Sequence, residues 1–188
     1  MAEEKNSAAA REQFLYEAVA HLDHLYRVAF HLASEPEEAE DLVQETYLRA
    51  MSAHEQFTLG TNMKAWLTRI LYNFFFDRYH EKKRWISVED GVVGGTEAFD
   101  YSETVPTVNP GPESYALIKE LNAKISEALR KLPPDFRVPI ILVDMEDFSY
   151  AEAAEVLSCP IGTIRSRVSR GRKLLHKYLK SYVGKGTK

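Results

Sequence analysis

The feature that most constrains this chain is a gap in its pattern. Residues 85–112 hold no lysine or arginine, but they hold Glu89, Asp90, Glu97, Asp100 and Glu103, four glycines, and Pro106, Pro110 and Pro112. No period of 3.6 or 2 runs through them. A segment so acidic and so poor in apolar repeats has no face to bury and reads as an extended, flexible linker. A strand over "WISVEDGVVGG" is the other reading of its first part. The chain of 188 residues is therefore expected to fold as two units, residues 10–84 and residues 113–183, on either side of linker 85–112.

Both units read as all-helical. In residues 13–33, Phe14, Ala18, Leu22, Leu25 and Ala29 recur at helical spacing, which predicts one amphipathic helix. The next helix has Ser34 as its N-cap, with Pro36 and several glutamates in the first turn, where negative charge favours the helix dipole. "HEQFTLGTNM", residues 54–63, reads as a loop, and Thr61 or Asn62 caps a long helix running to about Arg84. Beyond the linker, Tyr115, Leu117, Leu121, Ile125, Leu129 and Leu132 share one side until Pro133 and Pro134 stop the helix. "DFRVPIILVDME" could be a strand or a helix by periodicity. Pro139 disfavours a central strand, and the helical neighbours favour a helix.

The C-terminal end has the form of a helix-turn-helix. Ser149 caps a short helix with small residues Ala153 and Ala154, Ser158 and Cys159 make the turn, and Pro160 fits the first position of the second helix. There Ile164, Val168, Gly171 and Leu175 form a packing stripe, while Thr163, Ser166, Arg167 and Arg170 lie opposite and Arg165, Arg172 and Lys173 flank them. Short polar side chains and arginines near the start of such a helix suit the major groove, with flanking cations on phosphates. Charge supports this reading. The net formal charge is −4, yet from residue 160 onward there are nine basic residues and no acidic one. A solvated basic helix is the plainer alternative.

"RILYNFFFDRYHEKKR", residues 69–84, carries aromatic rings almost all the way round. Trp66, Leu67, Ile70, Leu71 and Phe74 already supply a packing stripe. Tyr72, Phe75, Phe76 and Tyr79 are then surplus. Either another helix buries them, or they meet flat partners such as unstacked nucleobases, with the neighbouring cations on the phosphate backbone.

Other classes find little support. One cysteine, Cys159, allows neither an internal disulfide nor a cysteine-rich zinc cluster. The first residues lack the apolar core of a secretory signal, and no run of eighteen apolar residues would span a membrane, so a cytoplasmic protein is expected. There is no phosphate-binding glycine loop, H-E-x-x-H or G-x-S-x-G, and the histidines lack ligand spacing apart from His21 and His24, which read as helix-face residues. No enzyme activity, cofactor or metal is expected.

"AEDLVQETYLRAM", "NMKAWLTRILYNFFFD" and "SYAEAAEVLSCPIGTIRSRVSRGRKLL" occur in that order around the linker. With them the chain resembles the extracytoplasmic-function (ECF) group of bacterial RNA polymerase sigma factors over nearly its whole length. The resemblance implies two helical domains and a set of roles. Asp41, Gln44, Glu45, Leu48 and Arg49 would grip the largest subunit of core RNA polymerase. The loop 54–63 and the following helix would recognise and melt the promoter −10 element, through Phe57, Asn62, Trp66, Arg69, Tyr72, Asn73, Phe76, Tyr79, Lys83 and Arg84. Thr163, Arg165, Ser166, Arg167, Ser169, Arg170, Arg172 and Lys173 would read the −35 element as duplex. The acidic linker would thread toward the active-site cleft and RNA exit path of the polymerase, whose largest and second-largest subunits would both be partners, and an anti-sigma factor would hold the protein inactive. His80 and Glu81 stand where the family usually has arginines, which leaves the −10 preference open. The competing reading is a stand-alone helix-turn-helix regulator; it predicts tight duplex binding without polymerase and leaves the 41–49 face and the aromatic helix unexplained.

Overall fold

The computed structural model describes residues 2–33, 35–86 and 112–183, with side chains described between 10 and 81 and between 120 and 180. The expected linker, with its possible strand, lies outside the described residues apart from its helical ends. Among the described residues there are eight α-helices and no strand. The N-terminal unit holds α1 (Ala2–Val19), α2 (Leu22–Leu32), α3 (Pro36–Ser52) and α4 (Met63–Ile86); the C-terminal unit holds α5 (Pro112–Arg130), α6 (Pro134–Ile140), α7 (Tyr150–Val156) and α8 (Ile161–Val183).

The single helix expected over residues 13–33 is two. The His21 N–H bonds the Ala18 carbonyl three residues back, at 3.1 Å, and this tighter turn re-aims the chain. Phe14 and Ala18 on α1 and Leu25, Val28, Ala29 and Leu32 on α2 then reach the same core. Neither proline nor glycine marks the break. The cap of α3 falls on Glu35, whose side chain makes no capping bond; Ser34, the expected cap, lies outside the described residues. Asn62 does cap α4, its Oδ1 accepting from the Ala65 N–H at 3.0 Å.

In α4 the buried apolar positions are Met63, Leu67, Leu71 and Phe75, each four residues from the last. The stripe is rotated from the expected one. Phe75, at 9% exposure, is a core ring and not a surplus one, whereas Phe74 is half-buried between the guanidiniums of Arg49 and Arg78, 4.4 and 5.6 Å from its centroid.

The helix reading of "DFRVPIILVDME" holds with a local change. After α6 the chain widens into a π turn, Ile141–Met145, closed by the Glu146 N–H on the Ile141 carbonyl at 3.0 Å. Ser149 caps α7 in a reciprocal box with Glu152, three residues on. The turn into α8 puts Ser158 at φ 49°. Pro160 accepts from the Thr163 N–H at 2.8 Å, which makes it the cap of α8, one position earlier than expected. Gly171 lets α8 lie close on α6: a β-carbon there would stand 3.2 Å from the Phe136 carbonyl oxygen and 2.6 Å from the Ile140 Cδ1.

The two units do not stand apart. One continuous buried cluster joins Leu25, Leu42, Leu67 and Leu71 to Ile141, Leu142, Phe148, Val156 and Ile164.

Candidate nucleic-acid interface

On α3 the residues singled out as a polymerase contact share one outward face. Asp41, Gln44, Leu48 and Arg49 are exposed and Glu45 is half-exposed, while Leu42, Thr46 and Ala50 are buried beneath. Glu45 and Arg49 pair at 2.7 Å one turn apart, and Asp41 lies 3.8 Å from Arg78. Leu48 stands in the middle at 57% exposure. An apolar side chain ringed by charges is the arrangement of a protein-binding surface: it offers area to bury, and the charges set register.

The promoter-melting candidates divide. Phe57 and Trp66 sit together, 5.2 Å between centroids, against Phe14; Phe57 is buried and Trp66 half-buried, so these rings anchor the loop 57–62 to the core. Arg69 and Asn73 are exposed. Tyr72, Phe76, Tyr79 and His80 form a contiguous patch along α4, with centroids 4.9 Å apart for Tyr72 and Phe76 and 5.1 Å for Phe76 and His80. Lys83 and Arg84 continue the helix, and their side chains lie outside the described residues.

On α8, Arg165, Ser166, Ser169, Arg170 and Lys173 are exposed and Thr163 is half-exposed. Two of the expected base or phosphate readers are committed elsewhere. Arg167 pairs with Asp135 at 2.9 Å, and Arg172 forms a two-bond pair with Asp144, its Nε at 2.9 Å from Oδ2. That hydrogen bonding raises the Arg172 pKa beyond its already high ordinary value. Both pairs tie α8 to the preceding α6 and π turn, and so orient the reading helix.

The least anticipated feature lies between the units. Glu146, 4% exposed, accepts from His24 Nδ1 at 2.8 Å and from Arg27 Nε and Nη2 at 3.1 and 3.0 Å. Lys64 Nζ donates to the Glu146 carbonyl at 2.7 Å and lies 4.4 Å from the Phe148 ring centroid. Burial alone would raise the Glu146 pKa, but the hydrogen bonds and charges of His24 and Arg27 more than offset it and hold the carboxyl below the usual range. Burial lowers the His24 pKa, against the pull of Glu146. The two directions agree on an anionic Glu146 facing a neutral His24 that donates from Nδ1. Asn62 Nδ2 donates to Glu152 at 3.1 Å, and Arg137, 9% exposed, donates Nη1 to the Leu32 carbonyl at 3.0 Å. Sequence reading placed Asn62 as a cap and a −10 contact and His24 on a helix face, but it missed these bonds and Arg27, Lys64, Arg137, Glu146 and Glu152. The one available signal was the stripe His24, Arg27, His31, at i, i+3 and i+7 on α2.

Comparison with known proteins follows the same division of the chain. Residues 18–85 match the family described as Sigma-70 region 2, and residues 122–175 match Sigma-70, region 4. The ECF RNA polymerase sigma factor EcfG of Rhodopseudomonas palustris is 39% identical over 78% of this chain and 74% of its own length. The ECF RNA polymerase sigma factor SigE of Mycolicibacterium smegmatis is 38% identical over 85% of this chain, a match that spans 58% of that relative's length. Among solved structures, the sigma factor RpoE of Bartonella quintana, in a co-crystal with the anti-sigma factor NepR, superposes with a TM-score of 0.71 at 34% identity, covering 90% of this chain and 98% of that one. No helix among the described residues is long and apolar enough to cross a membrane.

Proposed function

Because this chain belongs to the ECF group of RNA polymerase sigma factors, we infer that it binds core RNA polymerase and directs initiation at promoters with paired −35 and −10 elements. Residues 10–84 and 113–183 act as its two working domains. The outward α3 face, Asp41 to Arg49 around Leu48, is the polymerase contact. The loop 54–63 and the rings Tyr72, Phe76 and Tyr79 of α4 capture and stack the melted −10 strand. Arg165, Ser166, Ser169, Arg170 and Lys173 of α8 read and hold the −35 duplex. Arg167 and Arg172 position that helix.

The observation that carries this reading is the pairing of two different surfaces in one chain: a contiguous ring patch suited to single-stranded bases, and a basic helix-turn-helix suited to duplex. The acidic linker suits a route through the basic nucleic-acid channel of the polymerase. An anti-sigma factor is the expected inhibitor, in line with the complex of the Bartonella relative. The test is a pull-down with core polymerase followed by permanganate footprinting on a candidate promoter. Binding with reactive thymines near −10 supports the reading; tight duplex binding without polymerase contradicts it.

A further inference from the structure

The contact between the two units covers surfaces that initiation needs. Asn62, in the −10 loop, is bonded to Glu152 of α7. Burial raises the Tyr72 hydroxyl pKa, and the groups that act on it are Arg167, Asp135 and Cys159, all of the C-terminal unit. Tyr79, farther along α4, lies within electrostatic reach of Arg137 on α6. The C-terminal unit therefore packs beside α4, with α7 bonded to Asn62 at its start and charged groups of α6 and α8 near Tyr72. In this shape Tyr72 is half-buried and the Asn62 amide is engaged by Glu152, so neither is free to take a melted base.

Polar groups gather around the buried Glu146 in this contact. His24, Arg27 and His31 of α2 face it from one side and Lys64 and Thr68 of α4 from another, with Glu146 reaching in after the π turn and Glu152 at the rim on α7. We propose that the Glu146 cluster is a latch holding the protein in a closed state, in which the C-terminal unit covers part of the −10 surface, and that opening the latch precedes promoter melting. This proposal rests on the initiation reading for its consequence but not for its geometry.

The cluster also fixes a direction for pH. His24 Nε2 lies 2.9 Å from Thr68 Oγ1, which also reaches the Lys64 carbonyl at 2.7 Å. One hydroxyl proton cannot serve both. With neutral His24 the hydroxyl donates to Nε2; with protonated His24 it must accept from Nε2 and turn to the carbonyl. His31 has a buried Nδ1 with no hydrogen-bond partner among the described residues, and burial pulls its pKa down to about 4. Both histidines thus hold protons less well closed than free in solution. A group with a lowered pKa in one state binds more protons in the other, so acidification favours the open state. For both histidines the effect begins below their ordinary value of 6.5, and for His31 it runs down to about 4. Glu146, held below 4.5 when closed, adds to it in the same direction at the acid end. The positive charges of Arg27 and Lys64 oppose each proton that His24 takes up.

The test uses the full chain with Glu146→Gln, read by small-angle scattering and circular dichroism, and by permanganate reactivity with saturating core polymerase. Glu146→Gln turns the two charge-assisted hydrogen bonds from Arg27 into weaker neutral ones and shifts the closed-to-open ratio by roughly tenfold to a hundredfold. The wild type is expected to be compact at neutral pH, with a radius of gyration near the ~16 Å of a compact chain this long, and to expand between pH 6.5 and 5 with its helicity intact. E146Q is expected to be expanded already at neutral pH and to form open complexes faster. Should E146Q fail to fold, the wild-type acid expansion decides alone. A wild type expanded at neutral pH, one that stays compact down to pH 5, or a folded E146Q as compact as the wild type overturns the latch. Expansion as predicted without binding to core polymerase would leave the latch standing and count against the initiation reading.

Discussion

Replacing Arg137 by methionine should destabilise the fold by about 3 kcal/mol, a net of opposing effects. The guanidinium serves three main-chain carbonyls: Leu32 at the end of α2 through Nη1, Arg130 at the end of α5 through Nη2, and Leu132 through Nη2 at 3.1 Å. The first two are helix-terminal acceptors with no partner inside their own helices, where a cation is best placed, and the third lies in the turn after α5. Each buried acceptor left unmade costs about 1–3 kcal/mol. Against that total, methionine fills much of the same volume and removes the burial cost of the cation, which shows in the lowered Arg137 pKa. In a protein of this size 1 kcal/mol moves the melting temperature by about 2–4 °C. Thermal unfolding followed by circular dichroism should therefore show Arg137→Met melting about 6–12 °C below wild type. Arg137→Lys, which can satisfy fewer carbonyls at once, should fall between. A methionine variant melting within about 2 °C of wild type would refute the view that the buried arginine is held for its helix-end hydrogen bonds.

Three further outcomes follow from the interface. Phe76→Ala should leave recruitment to −35 DNA intact and lower open-complex formation by roughly fivefold to a hundredfold, the worth of one base stacked on a ring, read by permanganate reactivity. Arg170→Ala should do the reverse, weakening −35-dependent recruitment by a similar factor, about 1–3 kcal/mol for a lost bidentate contact, with melting unchanged once bound; a gel-shift titration of the polymerase complex measures it. Gly171→Ala sets a helix-propensity gain of about 1 kcal/mol against a close approach to the Phe136 backbone. The Ile140 methyl can rotate away but the carbonyl cannot, so a net loss of about 1 kcal/mol is expected in chemical unfolding, with weaker −35 binding as α8 shifts.

Much of this was legible from local pattern. The Ser149 cap, the place of Gly171 in the packing stripe of α8 and the outward face of α3 all depend on residues within a few turns of one another, and each stands as its spacing implies. What was not legible depends on contact at long range. The turn between α1 and α2 has no breaker residue, because its direction is set by the core that both helices reach. Phe75 lies only 100° from Phe74 around the helix, and which of the two is buried depends on where α2 and α3 lie. His24 and Glu146 are 122 residues apart, and no period in either segment could announce their bond. The same holds for Arg167 and Arg172. Their sequence positions suit DNA, and only the placement of Asp135 and Asp144 beside them shows that they are engaged within the protein.

The central claim is that one chain carries both a polymerase-dependent melting surface and a duplex-reading helix, and permanganate footprinting of a candidate promoter with purified core polymerase tests it most directly. Thymines near −10 should become reactive only when this protein, core polymerase and an intact −35 element are all present, and the reactivity should fall in Phe76→Ala. Reactivity without core polymerase, or none with all three while core binding and −35 binding are both retained, would contradict it.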